Sequence, residues 1–240
     1  MGGAFLMIAA LAGCTSTRAG TPSESGTPTD STATASSAPA SSAPPSPIPT
    51  SPFATTLTDM LLTAEGMPNP NRAQSWTITL DSDREGTRPF GVCNRFAMTS
   101  IGAETVALRT FADDASTRRT TAGELIGRFP DVDTAQRAFT VLQTWYRSCH
   151  ERLSGRMRLR IHPLTEVALS DPSAEGWFGL VVRQPVNGEP GPSYYDAEGI
   201  LRSGATIAVL QISSVGRHLD QPPDQRPMTS AIRAAAALLS

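Results

Sequence analysis

A buried strand is predicted by the run Thr206-Ile207-Ala208-Val209-Leu210-Gln211-Ile212, which is apolar at almost every position. A short continuous apolar run that contains β-branched residues is typical of a strand covered on both faces of a sheet. Alternating or apolar segments predict further strands at residues 76–80, 92–98, 105–111, 158–162, 165–169 and 177–183. Turns are predicted at Asn187-Gly188 and Glu198-Gly199.

A long amphipathic helix is predicted over residues 134–153, because apolar side chains recur there at spacings of three and four. Its apolar face comprises Ala135, Ala138, Phe139, Leu142, Trp145, Cys149 and Leu153. Asp133 is the expected N-cap, and Gly155 follows the end. Shorter helices are predicted at residues 53–67, 122–129 and 229–239. The order of strands and helices predicts an α+β fold, with an antiparallel sheet and helices packed on one face.

The N-terminus carries the pattern of an export and lipidation signal. Residues 4–12 form an apolar run of about nine residues, far short of the roughly 20 that a membrane span needs, so they fit the core of a signal peptide. The run ends in Leu11-Ala12-Gly13-Cys14, which resembles the bacterial lipobox. That resemblance implies cleavage after residue 13 and a diacylglycerol group on the Cys14 thiol. The alternative is a buried apolar helix with an ordinary cysteine.

One feature departs from a standard signal peptide, since only Met1-Gly2-Gly3 precedes the apolar run where a basic segment is expected. An upstream start codon, or the charge of the α-amino group, would account for the difference. Residues 1–13 are nevertheless the predicted lipoprotein signal peptide. Two acyl chains anchor a protein stably, so the membrane is an expected partner and the extracytoplasmic face of the cell membrane the expected location.

Residues 14–52 are predicted to be a lipidated cysteine followed by a disordered tether. Beyond Cys14 the segment is almost entirely Ser, Thr, Pro, Ala and Gly, which cannot bury enough apolar surface to offset chain entropy. In an extended polyproline-like state, at about 3.1 Å per residue, its contour is on the order of 100 Å. The Ser/Thr/Pro content also suits O-glycosylation. Residues 53–240 remain as one domain large enough to bury a core.

The three cysteines have two different predicted roles, lipidation for one and disulfide formation for the other two. If Cys14 is lipidated, Cys93 and Cys149 remain as an even pair in an oxidising compartment. A Cys93–Cys149 disulfide is therefore predicted, and two buried free thiols are the alternative. A metal site is not expected, because neither a Cys-x-x-Cys motif nor a pair of histidines with ligand spacing accompanies them.

Five segments together resemble a known extracellular domain. They are Met60-Leu61-Leu62-Thr63, Val92-Cys93, Arg109-Thr110-Phe111, Phe129-Pro130 and Trp145-Tyr146-Arg147-Ser148-Cys149. The pattern looks like the sensor domain of actinobacterial receptor kinases of the PknH type, which also occurs on tethered lipoproteins. The resemblance covers most of residues 53–240 and implies an extracellular ligand-sensing role, a cleft beside the sheet and structural disulfides. This chain differs in lacking a kinase domain and a transmembrane span, and in offering one cysteine pair where two disulfides are expected.

Ligand-binding candidates are basic or aromatic. Arg158 and Arg160 alternate with apolar residues, so they would share one strand face and could bind anionic wall or lipid groups; a solvated face is the alternative. Trp76 and Trp177 could line a ligand site, although each is also a candidate for core packing. Tyr194 and Tyr195 could likewise line a ligand site or take part in packing.

No catalytic motif is found in the sequence. It contains no His-Glu-x-x-His, Gly-x-Ser-x-Gly or P-loop pattern, so neither an enzyme nor a cofactor is expected. The net charge of -2 gives no overall field that favours nucleic acid.

The predicted function is therefore a non-enzymatic sensor or binding lipoprotein that takes an unidentified small-molecule or cell-wall ligand. A structural or partner-docking envelope protein and a hydrolase with an unrecognised site are the alternatives. A concave apolar pocket with a few polar groups would favour binding. A flat apolar patch would favour docking, and clustered carboxylates would favour hydrolysis.

Overall fold

The computed structural model describes residues 56–69, 75–83, 88–113, 120–153, 158–185, 191–216 and 226–240. The predicted signal peptide, Cys14, the tether, Gly155 and the Asn187-Gly188 turn lie outside these ranges, so those expectations stay predictions. Within the ranges, no helix combines the length and apolar character that crossing a membrane requires.

Eight strands and three α-helices form the described part of the chain. In chain order they are β1 (Trp76–Ser82), β2 (Thr105–Asp113), β3 (Thr121–Arg128), α1 (Val132–Arg147), α2 (Cys149–Leu153), β4 (Arg158–Ile161), β5 (Thr165–Val167), β6 (Glu175–Gln184), β7 (Tyr194–Ser203), β8 (Thr206–Val215) and α3 (Pro227–Leu239). Short 3-10 helices occupy Leu57–Met60 and Met98–Ile101.

The strands form one antiparallel sheet in the order β1-β2-β3-β8-β7-β6-β4, with β5 also paired to β6. The predicted apolar run lies in β8, which pairs with β3 on one side and β7 on the other. The prediction of an α+β fold built on an antiparallel sheet is confirmed.

The two faces of the sheet are covered by different helices. In β8, Ile207 and Val209 pack in the cluster that contains Phe139 and Leu142 of α1. Ala208, Leu210 and Ile212 instead pack in the cluster that contains Met228 and Ile232 of α3. Helices therefore lie on both faces, whereas the sequence analysis placed them on one. The reason is that β8 is apolar on both sides and needs a cover on each.

Two glycines set how closely α3 approaches the sheet. A Cβ at Gly199 would lie 2.7 Å from Sδ of Met228 and 2.9 Å from Ile232, and a Cβ at Gly176 would lie 2.9 Å from Ile232. Side chains at either position would push the helix outward. Gly199 was predicted to form a turn with Glu198, and that prediction was wrong, because the pair lies within β7 and the glycine serves helix packing.

Residues 122–129 form most of β3, and the prediction of a helix there was wrong. Ala, Glu and Leu favour a helix locally, but β3 is paired along its whole length with β2 and β8. Its glycines also have packing roles. A Cβ on Gly123 would overlap the ring of Phe90, and one on Gly127 would lie 2.9 Å from the terminal methyl of Met98. Tertiary contacts outweigh the local propensity here.

The predicted strand at residues 92–98 is an irregular segment that ends in the 3-10 helix Met98–Ile101. Side chains satisfy its backbone in place of a partner strand. Nη2 of Arg152 donates to the Cys93 carbonyl at 2.8 Å, and the Asn94 amide donates to the Phe90 carbonyl. The predicted Cys93–Cys149 disulfide is present and joins this segment to the start of α2.

The long helix begins at Val132, two residues before the predicted start, ends at Leu153 as predicted, and is divided in two. Its N-cap is Asp131, which accepts a hydrogen bond from the Thr134 N–H at 2.6 Å, and not Asp133. The first helix ends at Arg147, and Ser148 separates it from α2. Its predicted apolar face is buried, with Phe139 and Leu142 fully enclosed.

The segment before β1 is held to the sheet by a polar network. Thr56 and Asp59 form a capping box for the 3-10 helix that follows. Arg109 donates to Asp81 at 2.6 Å and to the Leu62 carbonyl at 3.0 Å. Glu124 lies on β3, opposite Arg109 of β2, and its carboxylate accepts a hydrogen bond from the Leu62 N–H at 2.7 Å. Burial raises the pKa of Glu124 to about 7, against the opposing effects of that hydrogen bond and of Arg109.

Candidate functional site

An apolar cleft opens where α3 begins, on the face of the sheet that α3 covers. It holds about 20 Å³, which is room for about one water-sized molecule. We call it the α3 cleft. Its lining residues are Phe178, Leu180, Tyr195, Ala197, Ile212, Ser214 and Arg226. That volume is far below the roughly 300 Å³ at which small-molecule sites begin, so the α3 cleft alone does not enclose a ligand.

The floor of the α3 cleft consists of alternate residues of β6, β7 and β8. Strand register places Leu180 opposite Ala197, and Ala197 opposite Ile212, so these three side chains form one row across the sheet. Tyr195 and Ser214 form the next row and bring hydroxyl groups to it. Ala197 is the smallest side chain of its row and lies between two larger apolar ones.

Arg226 supplies the positive charge of the α3 cleft. It is the N-cap of α3, and its guanidinium carbon lies 5.0 Å above the ring centroid of Phe178. A cation over an aromatic face is held by the ring quadrupole. The positive end of the α3 dipole lies at the same place. Arg226 therefore defines an electropositive rim beside an apolar floor.

A groove continues from the α3 cleft along α3. Phe178 lines both, and the groove passes Thr165, Thr229 and Arg233. It holds about 230 Å³, and the larger part of its lining surface is apolar, as in the α3 cleft. The structure therefore presents a small apolar cleft that adjoins a larger groove with charged and hydroxyl groups on its wall.

Arg158 and Arg160 lie on the same face of the sheet as the α3 cleft. Their neighbours Leu159 and Ile161 pack on the opposite face, in the cluster around the disulfide. Arg160 pairs with Val182, which belongs to the apolar cluster beneath α3. Both arginines are exposed. The predicted common strand face is present, and it is directed toward the side that carries the cleft.

The two tryptophans do not join these arginines. Trp76 is buried on β1, at the other edge of the sheet, where its indole N–H donates to the Pro68 carbonyl at 3.2 Å. Trp177 is partly buried against the α1 cluster, on the opposite face from the α3 cleft. Both therefore act in packing, and the structure does not bring the four predicted residues into one site. Tyr195 lines the cleft, whereas Tyr194 does not.

Two carboxylates are buried beneath α1, on the face opposite the α3 cleft. Asp196 is fully enclosed, and Arg183 donates to it at 2.6 Å. Burial, and next to it the nearby charge of Asp196, raise the pKa of Glu198 to about 8, against the opposing effect of Arg183. Gly91 packs directly on the Glu198 carboxyl, because a Cβ there would overlap it. Neither carboxylate lines the α3 cleft or its groove, so neither can contact a ligand there.

The described ranges offer neither a metal-ion site nor a cysteine nucleophile. There, no group of three or more His, Cys, Asp or Glu side chains is placed to hold a metal ion. Cys149 is bonded to Cys93 and fully enclosed, so it cannot act with the adjacent His150 as a nucleophile. What the geometry offers instead is an apolar recess with charged and hydroxyl groups at its margin.

Comparisons with known proteins give a distant likeness among solved structures. No family model matches the chain, and no curated protein matches it. Among solved structures, the extracellular domain of PknH from Mycobacterium tuberculosis aligns with a TM-score of 0.47 and 9% sequence identity, over 75% of this chain and 92% of that one. The likeness is too distant to assign roles to individual residues.

Sequence reasoning missed most of the α3 cleft. Phe178 and Leu180 were recognised only as part of a strand, and Arg226 was not singled out. The alternation Tyr195, Ala197 within β7 is a signal that could have shown the floor, but the predicted turn at Glu198-Gly199 concealed that strand. Arg226 precedes a proline at the first position of a helix, which marks a helix start without indicating a ligand.

Proposed function

We propose that the chain is a lipid-anchored extracytoplasmic protein whose folded domain binds a small, largely apolar ligand along the α3 cleft and the groove that continues from it, and catalyses no reaction. The observation that carries the proposal is the groove along α3, which holds about 230 Å³, has a mainly apolar lining and carries Thr229 and Arg233 in its wall, and which meets the α3 cleft at Phe178. That combination is the one expected of a binding site. The disulfide fits an oxidising location outside the cytoplasm.

Filling the α3 cleft with a larger side chain should weaken ligand binding. Ala197→Trp places an indole where the ligand would lie, and we expect it to weaken binding of the uncharged fluorescent probe N-phenyl-1-naphthylamine by roughly tenfold or more. Binding is measured as fluorescence enhancement on the full chain carrying Cys14→Ser, so that neither acyl chains nor detergent compete for the probe.

Thr140→Trp is the matched control, because it adds the same indole on the exposed side of α1. This variant should bind the probe as the parent chain does. Equal probe affinity in the Ala197→Trp chain, with its thermal unfolding unchanged, would remove the α3 cleft as the site.

Lipid anchoring has its own test. Replacing Cys14 by Ser removes the only thiol that the lipobox resemblance assigns to acylation, so the protein should leave the membrane fraction and the detergent phase of a Triton X-114 partition. Ser16→Ala is the control and should stay with the membrane. Complete retention of the Cys14→Ser chain in the membrane fraction would contradict lipidation at this residue.

A further inference from the structure

The segment before β1 is fastened to the sheet by two ionisable side chains. We call residues 56–67 the N-terminal strap. Within the described ranges the strap pairs with no strand, so side chains take the place of a ladder. Nη1 of Arg109 donates to the carbonyls of Leu61 and Leu62 at 3.3 Å and 3.0 Å. The Glu124 carboxylate accepts the Leu62 N–H at 2.7 Å, so the attachment of the strap depends on both charges.

The docked strap encloses Glu124. Leu61, Leu62 and Met67 of the strap are buried, and they pack in the same apolar cluster as Ile126. Ile126 follows Glu124 on the same face of β3, because alternate residues of a strand share a face. Glu124 is 0% exposed. Lifting the strap would therefore return its carboxyl group to water.

The surroundings of Glu124 give its charge incomplete compensation. Leu210 of β8 lies on one side of it and Arg109 of β2 on the other, and α3 contributes apolar residues to the surrounding cluster. The Arg109 guanidinium also binds Asp81 at 2.6 Å and interacts with Asp59 of the strap. Within the described part of the chain, Oε1 of Glu124 has no hydrogen-bond partner. A buried charged oxygen without a partner is costly, which favours the neutral acid.

Protonation of Glu124 is therefore linked to docking of the strap. Burial raises the pKa of Glu124 to about 7, against the opposing effects of the Leu62 N–H and of Arg109. With the strap lifted, the pKa should return to the ordinary value of 4.5. Between these two values the lifted state has released the proton and the docked state keeps it, so each rise in pH favours lifting. The effect levels off above the higher value, where the docked state ionises too.

We propose that the N-terminal strap is a pH-sensitive latch, docked on the sheet while Glu124 carries a proton and released when Glu124 is ionised. The strap begins shortly after the predicted tether. Release would lengthen that tether by the strap and loosen the hold of the domain on its anchor. The latch acts at the attachment of the domain, so it does not depend on ligand binding along α3.

Hydrogen exchange with mass spectrometry on the Cys14→Ser full chain tests the latch. After correction for intrinsic exchange rates, protection of the strap relative to α1 should fall by roughly tenfold or more between about pH 5 and about pH 8. In Glu124→Gln the strap should keep its protection at the higher pH, because the amide stays neutral and its oxygen can still accept the Leu62 N–H. Glu198→Gln is the matched control, since it makes the same change at a buried carboxyl on the other face of the sheet. Its strap should respond to pH as that of the parent does.

Three results would overturn the latch. The first is equal protection of the strap at both pH values in the parent chain, a comparison that needs no variant to fold. The second is a fall in α1 as large as the fall in the strap, which would mean that the whole domain loosens. The third is a fall in Glu124→Gln as large as in the parent, which would assign the release to another group.

Discussion

Loss of the Cys93–Cys149 disulfide is expected to lower the free energy of unfolding by about 4 kcal/mol. The two cysteines are 56 residues apart, so the bridge closes a long loop and restricts the unfolded chain strongly. It also ties the irregular segment before the 3-10 helix Met98–Ile101, which no strand ladder holds, to the start of α2. The measurement is urea unfolding of the Cys93→Ala/Cys149→Ala chain beside the parent.

Reductant supplies the matched control for this prediction. Dithiothreitol should shift the urea midpoint of the parent chain toward that of the double variant, and it should leave the variant where it is. Because both sulfurs are enclosed, reduction should need partial unfolding and proceed slowly in native buffer. A double variant as stable as the oxidised parent would show that packing alone holds this segment.

Stability is expected to fall by a few kcal/mol as the pH rises from about 5 to about 9, and Glu198 is expected to cause much of the fall. Its pKa is about 8 in the folded chain, where burial is the main cause, and near 4.5 when unfolded. Between these values the unfolded state releases the proton and the folded state keeps it. Each rise in pH therefore favours unfolding, until the folded state also ionises above pH 8.

Glu198→Gln tests this account, since the amide matches the neutral acid in shape and cannot ionise. The variant should show a flatter dependence of unfolding free energy on pH, with its largest gain over the parent near pH 9. Glu124, whose pKa burial raises to about 7, should account for part of the remaining slope. Glu104→Gln, at an exposed position, is the control and should follow the parent curve. If the unfolding free energy of Glu198→Gln depended on pH as that of the parent does, groups other than Glu198 would cause the pH dependence.

Much of the fold could be predicted from the periodicity of apolar residues. The wrong predictions, for β3 and β7, share one cause. The apolar run in β8 and the three- and four-residue spacing in α1 report burial directly, and both were found. β3 and β7 contain glycines and charged residues that look unlike strands locally. Gly123 and Gly199 are small because Phe90 and the α3 side chains pack on them, and such a reason exists only in three dimensions.

The candidate site was predictable only in part for the same reason. Alternation in β4 placed Arg158 and Arg160 on one face, but their relation to a cleft depends on pairing with β6 and β7, which are distant in sequence. Trp76 and Trp177 were candidates because of their residue type, and burial decided their role. Lipidation at Cys14 follows from a local motif and stays a prediction.

The close seating of α3 on Gly176 and Gly199 bears on how ligand preference can diverge among relatives. A helix fixed at that spacing cannot slide outward to admit a bulkier molecule without losing the contacts that its Met228 and Ile232 make with the two glycines. Selectivity for the size of a ligand must then depend on the residues that form the floor of the α3 cleft. Exchanging Ala197 for a larger residue would narrow the α3 cleft without moving the helix.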